Sequence, residues 1–297
     1  MQTENHPHPE IVNNELVSYA QNYEDILLWR AFSNVPNGFY IDIGANDPNT
    51  DSVTRIFYEA GWRGINVEPV SHWQDVLARV RPRDINLTCL VGSEESASTF
   101  FEVIEDTRLS TTDAEIAEGH VRDFGYHLKQ YEVKCTTLAA LCREHITGPI
   151  HFLKIDVEGG EYSVLKGMDF DTFRPMILVI EATKPCSREE CHEVWEPIIL
   201  QNRYRYVLFD GLSRYYIANE HAELEKHFTS PANIQDSFIT QAELQARQKI
   251  RSLEGELNKY EKALAEYEYG PIRPFTRLLK SIGKSIRKIT SAPGQKE

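Results

Sequence analysis

The segment Gly38–Asn49, GFYIDIGANDPN, predicts the fold of this chain. Within it, Phe39–Ile43 is a short apolar and β-branched run, which is typical of a buried central strand. The run stops at Gly44, where glycine permits backbone conformations and a close ligand approach that other residues do not. Ser52–Ala60 then shows helical spacing of its apolar residues. A strand, a glycine turn and a helix form the opening unit of a doubly wound α/β fold, in which ligands bind at the carboxyl ends of the strands.

The polar residues of this turn indicate which ligand it binds. The dinucleotide fingerprint requires glycine at its first, third and sixth positions, and here Gly44, Asn46 and Asn49 occupy them. Only one of the three positions is therefore met, which disfavours a pyrophosphate at this turn. Asp42, Asn46 and Asp47 instead suit a ligand with a cationic amino-acid head.

The second predicted strand, Gly64–Val67, ends in a carboxylate, Glu68. This carboxylate can accept both hydroxyls of a ribose, because each of its oxygens has two lone-pair sites. An Asp-x-Gly turn followed by an acid at the end of the next strand suits S-adenosylmethionine. The alternative from these two strands alone is an α/β domain with ordinary polar strand ends.

Five sequence segments, which occur in the same order as in a known family, extend this interpretation. They are FYIDIGANDP (39–48), SVTRIFYEAGWRGINVEPV (52–70), LST (109–111), HFLKIDVEGGEYSVLKGMDF (151–170) and FDGLSRYYIA (209–218). With them the chain resembles FkbM-type methyltransferases from about residue 18 to residue 238. That family comprises S-adenosylmethionine-dependent O-methyltransferases with a Rossmann-like fold, many of which act on sugars. The resemblance implies a class I methyltransferase fold: an α/β domain with a doubly wound, mostly parallel sheet and a terminal antiparallel hairpin.

The resemblance also implies where the cofactor binds. The expected cofactor-binding residues follow the predicted strands: Asp42, Gly44, Asn46, Glu68, Gly92 and Asp156. Gly92 follows the predicted third strand, Asn86–Val91, near which the adenine lies in related enzymes. The helix before the first strand borders the cofactor pocket in the family, so Gln21, Asn22 and Asp25 are further candidates. The alternative for these three is a solvated face of a packing helix.

A cluster of carboxylates is expected to carry the chemistry. Asp156, Glu158 and Glu161 follow the fourth predicted strand, and Glu181 follows the fifth. A positioned base contributes typically about 10²–10⁴-fold to such a transfer, and Glu158 or Glu181 is the preferred base in a metal-free mechanism, with Asp156 beside them. In the alternative, Asp156 and Glu181 hold Mg²⁺, which lowers the pKa of the acceptor hydroxyl.

Acceptor contacts are predicted in two loops and beside the acid cluster. The candidates are Ser110, Thr111, Glu161, Asp210 and Arg214. Ser110 and Thr111 belong to the LST block, which lies near the active site in related proteins. Glu161 has a second interpretation, since an acid after two glycines also stabilises a helix N-terminus. Residues 93–134 are otherwise predicted to be irregular, with one strand at Phe100–Ile104, and His120 and His127 within them are alternative bases.

Composition narrows the classes of protein that fit. The formal net charge of −13 argues against a nucleic-acid surface over the body of the chain. Five cysteines without framework spacing indicate reduced thiols and a cytoplasmic location. The first ten residues lack the basic and apolar regions of a signal peptide, and no run approaches the length of a membrane span.

The C-terminal residues differ from the rest of the chain. Apolar and aromatic residues recur at alternating spacings of three and four, at Ala246, Ile250, Leu253, Leu257, Tyr260, Leu264 and Tyr267. This heptad seam predicts a coiled-coil helix over residues 239–269 and a homo-oligomer. The alternative is a single helix that packs back on the domain.

Residues 270–297 carry seven Lys or Arg and one acid, with Phe275, Leu278, Leu279, Ile282, Ile286 and Ile289 on one helical face. Such a basic amphipathic tail favours a membrane surface. The alternatives are a protein partner such as a glycosyltransferase, or the acidic body of this chain.

These observations together predict a cytoplasmic enzyme, peripheral on the cytoplasmic face of the membrane, with a methyltransferase domain at 1–238. We expect an S-adenosylmethionine-dependent O-methyltransferase that modifies a sugar hydroxyl in glycan or polysaccharide biosynthesis. One alternative is an NAD-dependent nucleotide-sugar oxidoreductase. Another is a non-catalytic scaffold that acts through its coil and tail.

Overall fold

The computed structural model describes residues 9–12, 15–266 and 279–285. The chain divides into two compact units, Met1–Phe238 and Ile239–Glu297. The strands are β1 (Ile11–Val12), β2 (Glu15–Ser18), β3 (Phe39–Ile43), β4 (Arg63–Val67), β5 (Ile85–Leu87), β6 (Leu90–Gly92), β7 (Ser96–Val103), β8 (Leu128–Thr137), β9 (Phe152–Ile155), β10 (Ile177–Glu181), β11 (Tyr204–Phe209), β12 (Ser213–Ala218) and β13 (Phe238–Thr240).

The helices complete the set of elements. The α-helices are α1 (Glu24–Phe32), α2 (Arg55–Glu59), α3 (Ser71–Val80), α4 (Ala114–Phe124), α5 (Leu138–His145), α6 (Glu161–Lys166), α7 (Glu196–Gln201) and α8 (Gln241–Glu266). Short 3₁₀ helices occur at Thr107–Leu109, His192–Val194, Asn219–His227 and Ile234–Asp236. The prediction of an α/β fold is confirmed by this arrangement of strands and helices.

The main sheet has seven strands in the order β11-β12-β10-β9-β3-β4-β5. The neighbouring strands β5, β4, β3, β9 and β10 are all parallel to one another. Strand β12 runs antiparallel to β10, and β11 runs antiparallel to β12. From β3 the chain adds β4 and β5 on one side, and it later adds β9 on the other. The strand order therefore reverses between β3 and β9, which is where open α/β sheets bind ligands.

The central strands are buried because their sequences are almost continuously apolar, as expected of parallel strands inside a sheet. Ile41, Leu153 and Ile180 are fully buried in the main core. Two charged residues interrupt this pattern, and the register places them opposite each other: Asp42 on β3 faces Lys154 on β9. This pair lies directly beneath the strand ends that form the site described below.

The strand predicted at Phe100–Ile104 lies largely within β7, but the prediction that the rest of residues 93–134 is irregular is wrong. Strands β6, β8 and β7 form a second, three-stranded sheet, and α4 lies between β7 and β8. The helix begins where the Asp113 carboxylate accepts the backbone N–H groups of Glu115 and Ile116, and it ends at Gly125, which has a φ of 71°. The predicted third strand is also divided, since β5 belongs to the main sheet and β6 to the second sheet.

Helix α2 is shorter than the predicted Ser52–Ala60, because the residues before Arg55 are held in a loop. The Arg81 guanidinium donates to the carbonyl of Pro48 at 2.7 Å and to the Ser52 hydroxyl at 3.1 Å. The Thr54 hydroxyl donates to Asp42 Oδ2 at 3.0 Å. These contacts hold the segment that links the first strand to its helix.

In the unit Ile239–Glu297, α8 is a single helix of 26 residues. Ile250, Leu253 and Tyr260 on the predicted seam are 42%, 49% and 69% exposed. The helical segment at residues 279–285 lies near this seam, since a Cβ added to Gly283 would be 3.9 Å from Leu257 Cδ1. Tyr267 of the predicted seam lies outside the described residues, as do residues 270–278 and 286–297 of the predicted tail. Among the residues that the structure describes, no helix has both the length and the hydrophobicity to cross a membrane.

Candidate active site

A cleft of about 1070 Å³ lies at the carboxyl ends of β3, β4, β9 and β10. It brings together most of the predicted site residues: Gly44, Asn46, Glu68, Gly92, Ser110, Thr111, Asp156, Glu158 and Glu181. These residues come from six separate stretches of sequence, and parallel strands place their ends on the same edge of the sheet.

Gly44 ends β3 and touches the turn that follows β9. Its φ is 81°, and a Cβ added at this position would lie 1.8 Å from the carbonyl oxygen of Asp156. Its backbone N–H donates to the Val67 carbonyl at 3.0 Å. A glycine is therefore needed here for two reasons, the left-handed backbone and the close approach of a second main chain.

Glu68 lies in the cleft wall at the end of β4 and is 3% exposed. One carboxylate oxygen accepts the Asn46 N–H at 2.8 Å and the other accepts the Val70 N–H at 2.7 Å. Each oxygen therefore retains a second lone-pair site for a ligand hydroxyl. Burial raises the pKa of Glu68 to about 7, although these two N–H groups lower it.

Lys154 lines the cleft and was not identified as a site residue from the sequence. Its ammonium lies 3.3 Å from Asp42 Oδ1, 3.3 Å from Asp156 Oδ2 and 2.8 Å from the Gly44 carbonyl. Burial alone would lower the pKa of Lys154, but Asp156 and Asp42 outweigh it and raise the pKa. Asp42 does not line the cleft, because its carboxylate is engaged by Lys154 and Thr54 beneath the floor. We therefore treat Asp42 as a residue that positions Lys154.

Three carboxylates face one another beside Lys154. Asp156, Glu158 and Glu181 each offer an oxygen, and these oxygens all lie within 4.8 Å of one another. The pKa of Glu158 and that of Glu181 are both raised, first because burial disfavours the charged form and then because Asp156 is a negative neighbour. The Asp156 side chain is 36% exposed and is therefore open to a substrate.

The turn after β9 holds Glu158 in an unusual conformation. Its φ is 51°, which is uncommon for a residue other than glycine. The Thr111 hydroxyl donates to the Glu158 carbonyl at 2.8 Å, so the LST block contacts this turn directly. Glu161 accepts the N–H groups of Val157 and Gly159, both at 3.2 Å, and therefore closes the turn from the other side.

A polar bridge joins the turn after β3 to the loop before the LST block. Thr107 Oγ1 accepts a hydrogen bond from Trp73 Nε1 at 2.7 Å and a longer one from Asn46 Nδ2 at 3.4 Å. Arg108 also lines the cleft and is paired with Asp106 and Asp51. The sequence did not identify Trp73, Thr107 or Arg108 as site residues.

Other predicted residues are bound elsewhere and do not line the cleft. Asp210 accepts the N–H groups of Leu212 and Ser213 and the hydroxyl of Tyr215, so it holds the β11–β12 turn together. Arg214 pairs with Glu190 and Glu196. The prediction of acceptor contacts is therefore not retained for Asp210, Arg214 or the turn-closing Glu161.

The remaining candidates divide in the same way. Gln21 lines the cleft, whereas Asn22 donates to the Asp210 carbonyl at 3.3 Å. Asp25 is fully buried and accepts from Tyr19, Ala20 and Ser18. His120 is buried outside the cleft, and His127 is exposed beside Glu105.

Comparisons with known proteins identify the domain. The family profile described as "Methyltransferase FkbM domain" matches residues 42–207. Among solved structures, the chain matches Methyltransferase FkbM from Methylobacillus flagellatus KT with 17% identity and a TM-score of 0.37, over 61% of this chain. The match spans 44% of that protein's length. A search of curated proteins gave no match.

Proposed function

This chain belongs to the FkbM methyltransferase family, and from that premise we propose that it is an S-adenosylmethionine-dependent O-methyltransferase acting on a sugar hydroxyl. The observation that carries the proposal is Glu68. It is a buried carboxylate in the cleft wall, and each oxygen is fixed by one backbone N–H and has a lone-pair site left. That geometry suits the two adjacent hydroxyls of a ribose.

The rest of the cofactor follows from the residues around Glu68. We assign the adenine to the wall formed by Leu90, Val91 and Gly92, which combines apolar side chains with a glycine. The methionine part lies along the turn of Gly44 and Asn46, toward the acid cluster. This pose directs the methyl group at the open part of the cleft beside Asp156.

The arrangement disfavours the NAD-dependent alternative. A dinucleotide pyrophosphate rests on a helix N-terminus immediately after the glycine turn. Here α2 begins only at Arg55 and contains five residues, and the Asn46 N–H is already donated to Glu68. The first turn therefore lacks the donors that a pyrophosphate would need.

Methyl transfer needs an in-line acceptor and a destination for its proton. The acceptor oxygen forms a bond to the methyl carbon while the carbon–sulfur bond breaks. The electron pair stays on sulfur and yields S-adenosylhomocysteine, and the hydroxyl proton passes to the acid cluster. Asp156 is the member best placed to take it, because Glu158 is buried and the raised pKa values of Glu158 and Glu181 favour their neutral forms.

The acceptor side of the cleft supports a carbohydrate. Trp73 and Tyr126 line it together with polar groups that include Ser110, Thr111 and Arg108. Pockets of this kind combine aromatic surface with a few fixed polar groups, which set the orientation of the ligand. We propose a sugar or glycan acceptor on this basis, as in glycan or polysaccharide biosynthesis.

Calorimetric titration of the full chain with S-adenosylhomocysteine and, separately, with NAD tests the proposal. We expect saturable binding of S-adenosylhomocysteine and none of NAD. Binding of NAD alone would replace the methyltransferase proposal with the oxidoreductase. Binding of neither nucleotide would favour a non-catalytic scaffold.

We further propose that α8 mediates homo-oligomerisation, because Ile250, Leu253 and Tyr260 share a heptad seam and are exposed. The basic composition of residues 270–297 supports contact with an anionic membrane or a glycosyltransferase on the cytoplasmic side. Deletion of residues 270–297 is expected to abolish binding to anionic liposomes. Liposome binding that persists in the truncated chain would reject this role for the tail.

A further inference from the structure

The acid cluster contains a feature that the proposed methyl transfer alone does not explain. Glu158 is only 9% exposed, yet its Oε2 atom has no hydrogen-bond donor among the residues that the structure describes. A buried acceptor without a donor destabilises its site, and more so when it is charged. A group that fills this position would therefore stabilise the site.

The surroundings hold Glu158 at the cluster rather than letting it turn toward solvent. The Thr111 hydroxyl fixes its carbonyl at 2.8 Å, and Glu161 fixes the N–H groups on either side of it. Asp156 and Glu181 come from the ends of β9 and β10, which are adjacent parallel strands. Three oxygens from three carboxylates consequently meet within 4.8 Å on rigid elements.

Formal charge also points to a cation. Glu158 and Glu181 favour their neutral forms while no cation is bound. Once a cation displaces their protons, the three carboxylates carry three negative charges, and the neighbouring ammonium of Lys154 is shared with Asp42. A divalent cation with oxygen ligands would compensate two of these charges and satisfy the Glu158 oxygen at once. Carboxylates and water are the ligands that such hard cations prefer.

We propose that Asp156, Glu158 and Glu181 bind one divalent cation at the floor of the cleft. The proposal rests on the proposed function for its role, since the ion would bind the acceptor hydroxyl and lower its pKa for transfer. It adds Glu158 as the third ligand and assigns Thr111 and Glu161 the task of positioning it.

The candidate ions are those that take oxygen ligands. Ca²⁺ binds oxygens at roughly 2.3–2.6 Å in flexible geometry, whereas Mg²⁺ requires about 2.0–2.1 Å and a near-octahedral arrangement. Mn²⁺ also prefers oxygen ligands and is a convenient probe for the same site.

The test is titration of the full chain with Mn²⁺, in which electron paramagnetic resonance counts the free ion and Mg²⁺ and Ca²⁺ serve as competitors. We expect one Mn²⁺ per chain and at least tenfold weaker binding in Glu158→Gln and in Glu181→Gln. Glu105→Gln is the matched control, because Glu105 lines the same cleft outside the cluster, and it should bind Mn²⁺ as the parent does. Circular dichroism of each variant confirms that it has folded.

Absence of Mn²⁺ binding to the parent at millimolar ion would overturn the proposal, as would equal binding to the parent and both cluster variants. Titration with S-adenosylhomocysteine in the presence of a chelator separates this inference from the function. Nucleoside binding without any Mn²⁺ binding refutes the cation site and leaves the methyltransferase proposal intact. Mn²⁺ binding at the cluster without nucleoside binding supports the cation site and contradicts the methyltransferase proposal.

Discussion

Replacing Glu68 with glutamine tests the cofactor assignment most directly. The carboxylate uses one oxygen for the Asn46 N–H and the other for the Val70 N–H. Glutamine keeps one of these acceptors and turns an amide NH₂ toward the other N–H, so one side of the proposed ribose contact is lost. Hydrogen bonds to charged groups contribute about 1.5–3 kcal/mol, which corresponds to roughly ten- to 150-fold weaker binding of S-adenosylhomocysteine.

The dependence on pH provides a second measurement for the same variant. With the pKa of Glu68 at about 7, the carboxyl is mostly protonated at low pH, and its O–H removes an acceptor. We therefore expect the affinity of the parent for S-adenosylhomocysteine to rise as the pH increases through about 7. In Glu68→Gln this rise should disappear, because the amide does not titrate.

Calorimetric titration with S-adenosylhomocysteine across this pH range, for the parent, for Glu68→Gln and for a control variant, gives the affinity and its pH dependence. The control is Glu118→Gln, which removes a negative charge from an exposed position on α4 outside the cleft. It should leave both the affinity and its pH profile unchanged. If Glu68→Gln binds S-adenosylhomocysteine as tightly as the parent does, the ribose assignment is refuted.

Three further substitutions address other parts of the structure. Gly44→Ala should abolish S-adenosylhomocysteine binding and lower the melting temperature, because its Cβ would lie 1.8 Å from the Asp156 carbonyl oxygen. Gly125 has a similar φ of 71° but no atom within 4 Å of an added Cβ. Gly125→Ala should therefore lower the free energy of unfolding by only about 1–2 kcal/mol. Equal effects of these two changes would contradict the close approach. Arg30→Ala should lower the free energy of unfolding in urea by about 2 kcal/mol, because it removes a partly buried ion pair with Asp236 and a 2.7 Å bond to the Ser230 carbonyl. Arg122→Ala, which removes an exposed ion pair, should lower the free energy of unfolding by less than about 1 kcal/mol. Equal losses of stability in Arg30→Ala and Arg122→Ala would show that the burial of the Arg30 pair does not matter. Leu253→Glu should convert an oligomer into a monomer in light scattering, whereas Ser252→Glu, off the seam, should not; a monomeric parent would reject the coil.

The strands and the residues at their ends were predictable because both depend on local sequence. The run Phe39–Ile43 has the bounds of β3, and Glu68 follows β4 as expected. Parallel strands bring their carboxyl ends to one edge, so the meeting of Asp156 and Glu181 followed from the strand order alone.

What was missed depends on contacts between distant segments. Lys154 is a single charge within an apolar strand, and only the register reveals its partner Asp42 on the neighbouring strand. A signal did exist, because a lysine within a buried apolar strand requires a counter-charge. The loop before α2 is held by Arg81, and no local pattern in the loop could have indicated that contact.

Asp210 and Arg214, predicted to contact the acceptor, do not line the cleft. Both are polar residues in a turn near the end of the sheet, and the sequence placed them with the substrate. Their side chains instead satisfy backbone and side-chain partners within their own part of the fold. A polar turn residue is ambiguous until the acceptors and donors around it are known.

The approach of Gly44 to Asp156 also limits how this chain can evolve. A side chain at position 44 would meet a main-chain oxygen, which no replacement at position 156 can remove. Gly38 is different, because the three atoms nearest to a Cβ added there all belong to the ring of Trp62, and a smaller residue at position 62 would remove them. Compensating pairs of mutations are therefore open to position 38 and closed to position 44, so homologous sequences should vary at the first and remain fixed at the second.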